Sequence, residues 1–216
     1  MIKVQRTPKP EILRRNEAKW TKEILSAKTP EARHKAIERY RHEGIKNVLV
    51  EMFAGKCAYC ESKILHIDYG DIEHFKPKSK YPKEAVKWEN LLLSCKRCNS
   101  AAYKGDKFPS QSEGGLLVNP CDDEPNDHFR FEFDKEMQLA IVIGKTKRGE
   151  TSEKIYGLNK PDLLKQRSTQ IRRLVLLAAY YATDERVKNV LDEAAEGTSE
   201  YAAFARMVKQ TFLNNG

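Results

Sequence analysis

The chain has 216 residues, of which 40% are hydrophobic and 32% charged, so it has enough apolar side chains for a folded core and too many for a disordered protein. The longest aliphatic run, 174–179, is far too short to span a bilayer, and the N-terminus lacks the apolar stretch of a secretory signal. We therefore expect a cytoplasmic protein without a membrane segment.

Positive charge is concentrated towards the N-terminus. Residues 1–50 contain 13 Lys and Arg against 6 Asp and Glu, whereas residues 111–216 contain 15 against 17. A basic surface suits a polyanion such as nucleic acid, because binding releases condensed counterions. Charge alone is equally consistent with a solvated helix surface.

The first region, 1–52, is predicted to be helical and basic. Apolar residues recur at helical spacing over 10–27. Thr29-Pro30 is typical of a helix N-cap followed by proline in the first turn, which predicts a second helix from Pro30 to about Met52. Gly44 is the place where we expect this helix to bend or break.

The second region, 53–110, changes to short segments separated by turn residues. Its pattern predicts short strands over 63–67, 70–75 and 90–94, followed by a helix over 98–103. This order of elements predicts a small module in which strands are followed by one helix.

The third region, 111–216, begins with turns and an acidic stretch. Alternating residues over 130–134 and 138–143 predict a β-hairpin. The remainder is expected to be helical, with a long helix from Pro161 and two shorter ones near 184–195 and 199–213. The predicted class is α+β: a mainly α-helical chain around a small ββα module, with a hairpin and a C-terminal helical region.

Four of the five cysteines form two C-x-x-C pairs, separated by the 34 residues of 61–94. Two such turns can supply the tetrahedron of thiolates that structural zinc prefers, so the ββα module is expected to be stapled by zinc on Cys57, Cys60, Cys95 and Cys98. Two unrelated pairs or a redox dithiol are the alternatives. A site of four cysteines is closed, which assigns catalysis to other residues. The fifth, Cys121, is interpreted as a small buried residue.

Acidic, His and Asn residues cluster between and just after these pairs: Asp71, Glu73, His74, Asn90 and Asn99. With C-x-x-C, Glu-His, Asn-Leu and C-x-x-C-N in this order, the sequence resembles the HNH endonuclease superfamily in its zinc-stapled form. The run I-E-H-F-K-P-K-S at 72–79 looks like the HNH nuclease subunit of the Septu anti-phage system and its retron-associated relatives. These motifs cover about residues 53–110.

The resemblance implies roles for these residues. His74 matches the general base, and Glu73 and Asn99 match ligands of a catalytic metal, which these oxygen donors suit as Mg²⁺ or Mn²⁺. Asn90 matches the central Asn that orients the loop after the His. Many relatives have Asp or His at position 73 and His at position 99, so this sequence departs from the common pattern. Asp71 lies on the same side of a regular strand as Glu73 and shares or replaces its ligand role.

Several basic residues are candidates for phosphate contacts, although any one of them is as well explained as an ordinary surface charge: Lys76, Lys78, Lys96, Arg97, Lys104 and Lys107. The leading functional hypothesis is a metal-dependent nuclease for DNA or RNA, which the resemblance implies is an anti-phage effector acting with a PtuA-like ATPase subunit. The alternatives are a zinc-stapled nucleic-acid-binding module without catalysis, and a nuclease toxin that acts alone.

Overall fold

The structure is a computed structural model, and it describes residues 1–66, 68–113 and 115–213. The chain divides into two compact units. The N-terminal unit consists of residues 5–58 and 63–108, and the C-terminal unit consists of residues 1–4, 59–62 and 109–216. The division into three regions expected from the sequence stays a prediction.

The N-terminal unit begins with three helices: α1 (Glu11–Ser26), α2 (Pro30–Ile37) and α3 (Glu43–Met52). The predicted cap of α2 is confirmed, because the backbone amide of Ala32 donates to the Thr29 hydroxyl at 3.1 Å. The single helix expected from Pro30 to Met52 is divided by a 3-10 turn over Glu38–Arg41 and by a break at His42, not Gly44. The imidazole of His42 accepts from the Gly44 amide at 3.0 Å and thus caps α3.

Two short strands lie at the centre of this unit, β1 (Asp71–His74) and β2 (Leu91–Ser94). They pair antiparallel, from Asp71 opposite Ser94 to His74 opposite Leu91. This agrees with the strands predicted over 70–75 and 90–94. The strand predicted over 63–67 is reduced to one bridge between Lys56 and Lys63, and Ile67 lies outside the described residues.

The helix predicted over 98–103 is not formed, and residues 95–106 are a series of turns. The Cys98 amide donates to the Cys95 sulfur at 3.4 Å, and the Lys104 amide donates to the Cys98 carbonyl at 3.0 Å. The chain then turns at Gly105, where φ is +35°. In a helix the Cys98 carbonyl would accept from the amide of residue 102, so its bond to the Lys104 amide replaces a helical bond. The module thus has its two strands and lacks its helix.

The C-terminal unit contains the predicted hairpin, β3 (Phe129–Asp134) and β4 (Leu139–Gly144), preceded by a short helix α4 (Pro125–His128). Four helices follow: α5 (Lys147–Tyr156), α6 (Pro161–Ala178), α7 (Glu185–Ala195) and α8 (Ala202–Leu213). Both α5 and α6 pack on β4. The first turn of α5 approaches so closely that a Cβ at Gly149 would lie 2.0 Å from the His128 carbonyl oxygen, which explains the glycine.

The α+β class is therefore confirmed: helices predominate around two small antiparallel sheets. Among the described residues, every helix is too short or too polar to cross a membrane.

Candidate active site

The two C-x-x-C pairs converge on one point. The sulfur atoms of Cys57, Cys60, Cys95 and Cys98 all lie within 4.8 Å of one another, and all four cysteines are free of disulfides. Four thiolates around one zinc ion at about 2.3 Å would be separated by about 3.8 Å. The cluster is therefore close enough to hold a single metal ion, as the spacing predicted.

Strand β1 carries the acidic and His residues. Because side chains alternate along a strand, Asp71 and Glu73 lie on one face and His74 on the other. Glu73 and His74 nevertheless line the same cleft of about 350 Å³, and Asn99 lines it from the turns after β2. The structure thus brings together the three residues to which the resemblance assigned the chemistry.

Glu73 is buried and paired with a buried lysine. The Lys104 ammonium donates to Glu73 Oε1 at 3.0 Å, to the His74 carbonyl at 3.2 Å and to the Gly105 carbonyl at 3.1 Å. Burial raises the pKa of the Glu73 carboxyl, and the charge of Lys104 opposes that rise. The carboxylate is therefore held against an internal cation at the base of the cleft.

His74 is fixed on two sides. Its Nε2 lies 2.8 Å from the Ala85 carbonyl oxygen, and the ring of Tyr40 meets it edge-on with centroids 4.5 Å apart. A carbonyl only accepts, so Nε2 carries the proton and the neutral ring has its lone pair on Nδ1. Burial lowers the pKa of His74 from 6.5 to about 4, which keeps the ring neutral at pH 7.

Asn90 uses its whole side-chain amide to tie backbone segments together. Its Oδ1 accepts from the Lys76 amide at 2.7 Å, and its Nδ2 donates to the carbonyls of Lys76 and Glu84, each at 3.0 Å. The first segment follows His74 directly, and the second adjoins Ala85, whose carbonyl holds the imidazole. Asn90 thus fixes both supports of His74 and lies away from the reacting position.

Asp71 and Asn99 are in direct contact. Asn99 Nδ2 donates to Asp71 Oδ2 at 3.1 Å, and both residues are half-exposed along a second cleft of about 560 Å³. Asp71 thus contacts Asn99, whereas Glu73 contacts Lys104. The choice between Asp71 and Glu73 as the main metal ligand stays a prediction.

Of the lysines predicted to contact phosphate, Lys78 is the best placed, because it lines both clefts. Lys76 is half-buried beside the Asn90 contact, and the exposed Lys107 donates to the Ala102 carbonyl at 2.6 Å. The structure corrects the prediction that Lys104 contacts phosphate. Its side chain is 0% exposed and its ammonium is shared among three acceptors, so it is not positioned to contact a polyanion.

Three residues from the N-terminal helical region were missed by the sequence reasoning: Tyr40, Arg41 and Lys46. They line the 560 Å³ cleft beside Asp71 and Asn99. The basic composition of residues 1–50 indicated this region, but no local motif distinguishes Arg41 or Lys46 from its neighbours.

Comparison with known proteins agrees with this site. The HNH endonuclease family matches residues 57–105, the segment that contains both Cys pairs, both strands and the His-Asn cluster. We therefore identify this segment as an HNH endonuclease domain. No solved structure matches the chain at a significant level.

Within that family the chain is similar to Septu proteins. It is 36% identical over 200 residues to Septu protein PtuB of Bacillus mycoides, covering 78% of this chain and 66% of the relative. Septu protein PtuA of the same strain is 25% identical over 177 residues, covering 69% of this chain and 24% of that protein. A putative HNH endonuclease of retron Vc95 from Vibrio cholerae is 29% identical over 127 residues, covering 56% and 60%. The chain spans no more than about two thirds of any of these relatives.

Proposed function

We propose that the chain is a metal-dependent HNH endonuclease that hydrolyses phosphodiester bonds in nucleic acid. The observation that carries this proposal is the convergence of His74, Glu73 and Asn99 on one cleft, inside the segment that matches the HNH family. Phosphodiester hydrolysis needs an activated water and neutralised phosphoryl charge, and this cleft holds side chains suited to both.

His74 is the general base of the proposed reaction. Because Nε2 donates to the Ala85 carbonyl, Nδ1 is the nitrogen that accepts the proton of an attacking water. The Tyr40 ring restricts rotation of the imidazole, and Asn90 holds the backbone at Lys76 and at Glu84, next to Ala85. The lowered pKa keeps His74 able to accept a proton throughout the neutral range.

The oxygen donors fit a hard divalent cation. Asp71 and Asn99 lie in contact along the adjoining cleft of about 560 Å³, and a carboxylate with an amide suits Mg²⁺ or Mn²⁺ better than it suits soft metals. We propose that these two hold the ion and that Glu73 is a third donor, available when it releases Lys104. When bound, the ion would stabilise charge on the phosphoryl and leaving oxygens.

The four-cysteine cluster is proposed to hold structural zinc. A site in which all four ligands are thiolates leaves no coordination position for water or substrate, so its contribution is to folding. It ties the turn before β1 to the turn after β2; Asp71, Glu73, His74 and Asn90 lie between the two Cys pairs, and Asn99 directly follows the second pair.

The similarity to Septu proteins supports a role in anti-phage defence. We propose that the chain is the effector nuclease of such a complex and acts with a PtuA-like ATPase partner. The second candidate, a zinc-stapled module that binds nucleic acid without cutting it, is favoured by one observation: Glu73 is already neutralised by Lys104.

Cleavage assays separate the two candidates. The chain, alone and with a co-expressed PtuA-like subunit, is incubated with plasmid DNA and with structured RNA in Mg²⁺ or Mn²⁺. We expect cleavage that falls by about 10²- to 10⁴-fold in His74→Ala and in His74→Gln. Exposed His34→Ala is the matched control and should cut like the wild type.

A wild-type chain that binds nucleic acid but cuts neither substrate with either metal, with and without the partner, would establish the binding module instead. Metal titration of Asp71→Asn and Glu73→Gln tests the ligand assignment. Asp71→Asn should require the larger increase in Mg²⁺ for half-maximal cleavage.

A further inference from the structure

A second cleft adjoins the proposed catalytic residues, and apart from Tyr40, Asp71 and Asn99 its lining has no role in the reaction described above. It encloses about 560 Å³ and shares Tyr40, Ile72, Lys78 and Asn99 with the 350 Å³ cleft of His74. Three cations line it, Arg41, Lys46 and Lys78, against one carboxylate, Asp71. Its volume is within the range of ligand-binding pockets, and its charge favours an anion.

The Tyr40 hydroxyl organises two of these cations. Lys78 Nζ donates to it at 2.8 Å and Arg41 Nε donates to it at 3.1 Å. Tyr40 itself is buried, so the hydroxyl has a fixed position and the two positive groups are held side by side. The Arg41 side chain is 67% exposed and can meet an incoming phosphate.

Tyr69 lies at the same cleft and is 89% exposed, the most exposed large apolar side chain among the described residues. The chain around it is anchored: Lys96 pairs with Asp68 at 3.2 Å, and Lys46 donates to the Gly70 carbonyl. Gly70 adopts φ +67°, a left-handed conformation that turns the chain into β1. A phenol is thereby presented to solvent, two residues before Asp71.

An exposed aromatic ring beside a row of cations is the arrangement by which proteins bind single-stranded nucleic acid, since bases stack on the ring and phosphates meet the cations. Bases inside a duplex are already stacked and do not offer a free face to such a ring. We propose that this cleft binds an unpaired nucleotide next to the scissile phosphate, with its base on Tyr69 and its phosphate on Arg41 and Lys78. The inference rests on the proposed nuclease function and adds to it the substrate class: single-stranded or locally unpaired nucleic acid.

Binding is measured apart from cleavage, in the His74→Ala background, by fluorescence anisotropy of labelled single strands of DNA and RNA, about 15 nucleotides long, and of the matching duplexes. We expect a single strand to bind at least about tenfold more tightly than its duplex. Tyr69→Ala should weaken single-strand binding by about tenfold. Tyr69→Phe should keep most of it, and Arg41→Ala should reduce the dependence of log Kd on log salt by about one.

Tyr180→Ala is the matched control, because Tyr180 is 61% exposed and belongs to the C-terminal unit. The proposal is overturned if the duplex binds as tightly as the single strand, if Tyr69→Ala binds like Tyr180→Ala, or if neither nucleic acid binds. Failure of the nuclease proposal looks different: Tyr69-dependent binding of single strands persists while the chain with His74 intact cuts nothing.

Discussion

Two buried polar side chains, His74 from the N-terminal unit and Arg167 from the C-terminal unit, are used in different ways. In the N-terminal unit, His74 is buried, donates from Nε2 to the Ala85 carbonyl and lines a cleft. In the C-terminal unit, the guanidinium of Arg167 is equally buried, but donates to the carbonyls of Ala140 and Leu158 and to the Asn159 side chain. The first group keeps a lone pair for chemistry, whereas the second uses its donors to hold backbone.

Burial shifts the pKa of both groups downward, that of His74 to about 4 and that of Arg167 to about 10. A shifted pKa therefore does not distinguish a functional group from a structural one. The hydrogen-bond inventory does, because of these two groups only His74 lies at a cleft with a ring nitrogen unused by its carbonyl partner.

The largest expected effect concerns the four-cysteine cluster, which neither keeps a lone pair for chemistry nor holds backbone through side-chain donors. Cys57→Ser should lose the bound zinc and the cooperative unfolding transition, since structural zinc sites contribute about 10 kcal/mol or more to folding. Atomic absorption measures the zinc content, and thermal melting followed by circular dichroism measures the unfolding transition. The control is Cys121→Ser, a buried cysteine outside the cluster. If the Cys57 variant melted like the Cys121 variant, the cluster would have no structural role.

The next effect tests the structural side of the comparison. Arg167→Met should lower the free energy of unfolding by about 3 kcal/mol, because it leaves buried carbonyls without donors. Urea denaturation measures the loss, and Arg172→Met, on the exposed side of the same helix, should change little. Cleavage per folded molecule should be unchanged. A specific loss of cleavage in a fully folded Arg167 variant would show that Arg167 is not purely structural, and the distinction between His74 and Arg167 would fail.

The pH dependence of stability tests the other half of the comparison, the buried and neutral state of His74. Because the unfolded chain protonates His74 near pH 6.5 and the folded chain only near 4, the unfolded state binds more protons in that window. Stability should therefore be complete above pH 6.5 and fall by about 3 kcal/mol as the pH decreases to 4.

Urea unfolding of the wild type and of His74→Gln at about pH 7 and pH 4.5 measures this term. The variant keeps the same cysteines, and its Glu73 carboxyl, whose raised pKa acts in the opposite direction, is also retained. The difference between the two proteins thus isolates the imidazole. Equal losses in both would show that folding does not lower the pKa of His74.

The smallest effect concerns the cations of the second cleft. Glu38 pairs with Arg41 at 2.7 Å and lies 3.9 Å from Lys78 Nζ, so it competes with an incoming phosphate. Glu38→Gln should tighten binding of a single-stranded oligonucleotide about two- to fivefold at low salt, with less effect at high salt. Glu185→Gln, an exposed carboxylate of the C-terminal unit, is the control. An unchanged Kd at low salt would argue against phosphate binding at this position.

The sequence predicted the elements with strong local signals and missed those set by tertiary contacts. Capped helices such as α2 and the alternating hairpin were readable, because caps and periodicity are local. The helix after Cys98 was predicted wrongly, since thiolate turns and a lysine that turns inward override helix propensity there.

The candidate site shows the same division. The order of motifs was sufficient to bring Glu73, His74, Asn90 and Asn99 into one region. It was not sufficient to show that Lys104 is buried against Glu73, because burial of this lysine depends on three acceptors, two from β1 and one from the turn at Gly105. Nor did it identify Tyr40, which contacts His74, or Arg41, which lines the second cleft. Both lie more than thirty residues before His74 in the sequence and are brought to the site only by the fold.

The contact between Tyr40 and His74 has a consequence for protein engineering. The segment that matches the family, 57–105, contains the whole His-Asn cluster, but the Tyr40 ring that covers the His74 imidazole comes from outside this segment. A fusion enzyme built from that segment alone would expose His74 to water and lose the guanidinium of Arg41. The smallest transplantable piece of the proposed nuclease therefore begins near residue 5 and carries the three N-terminal helices with it.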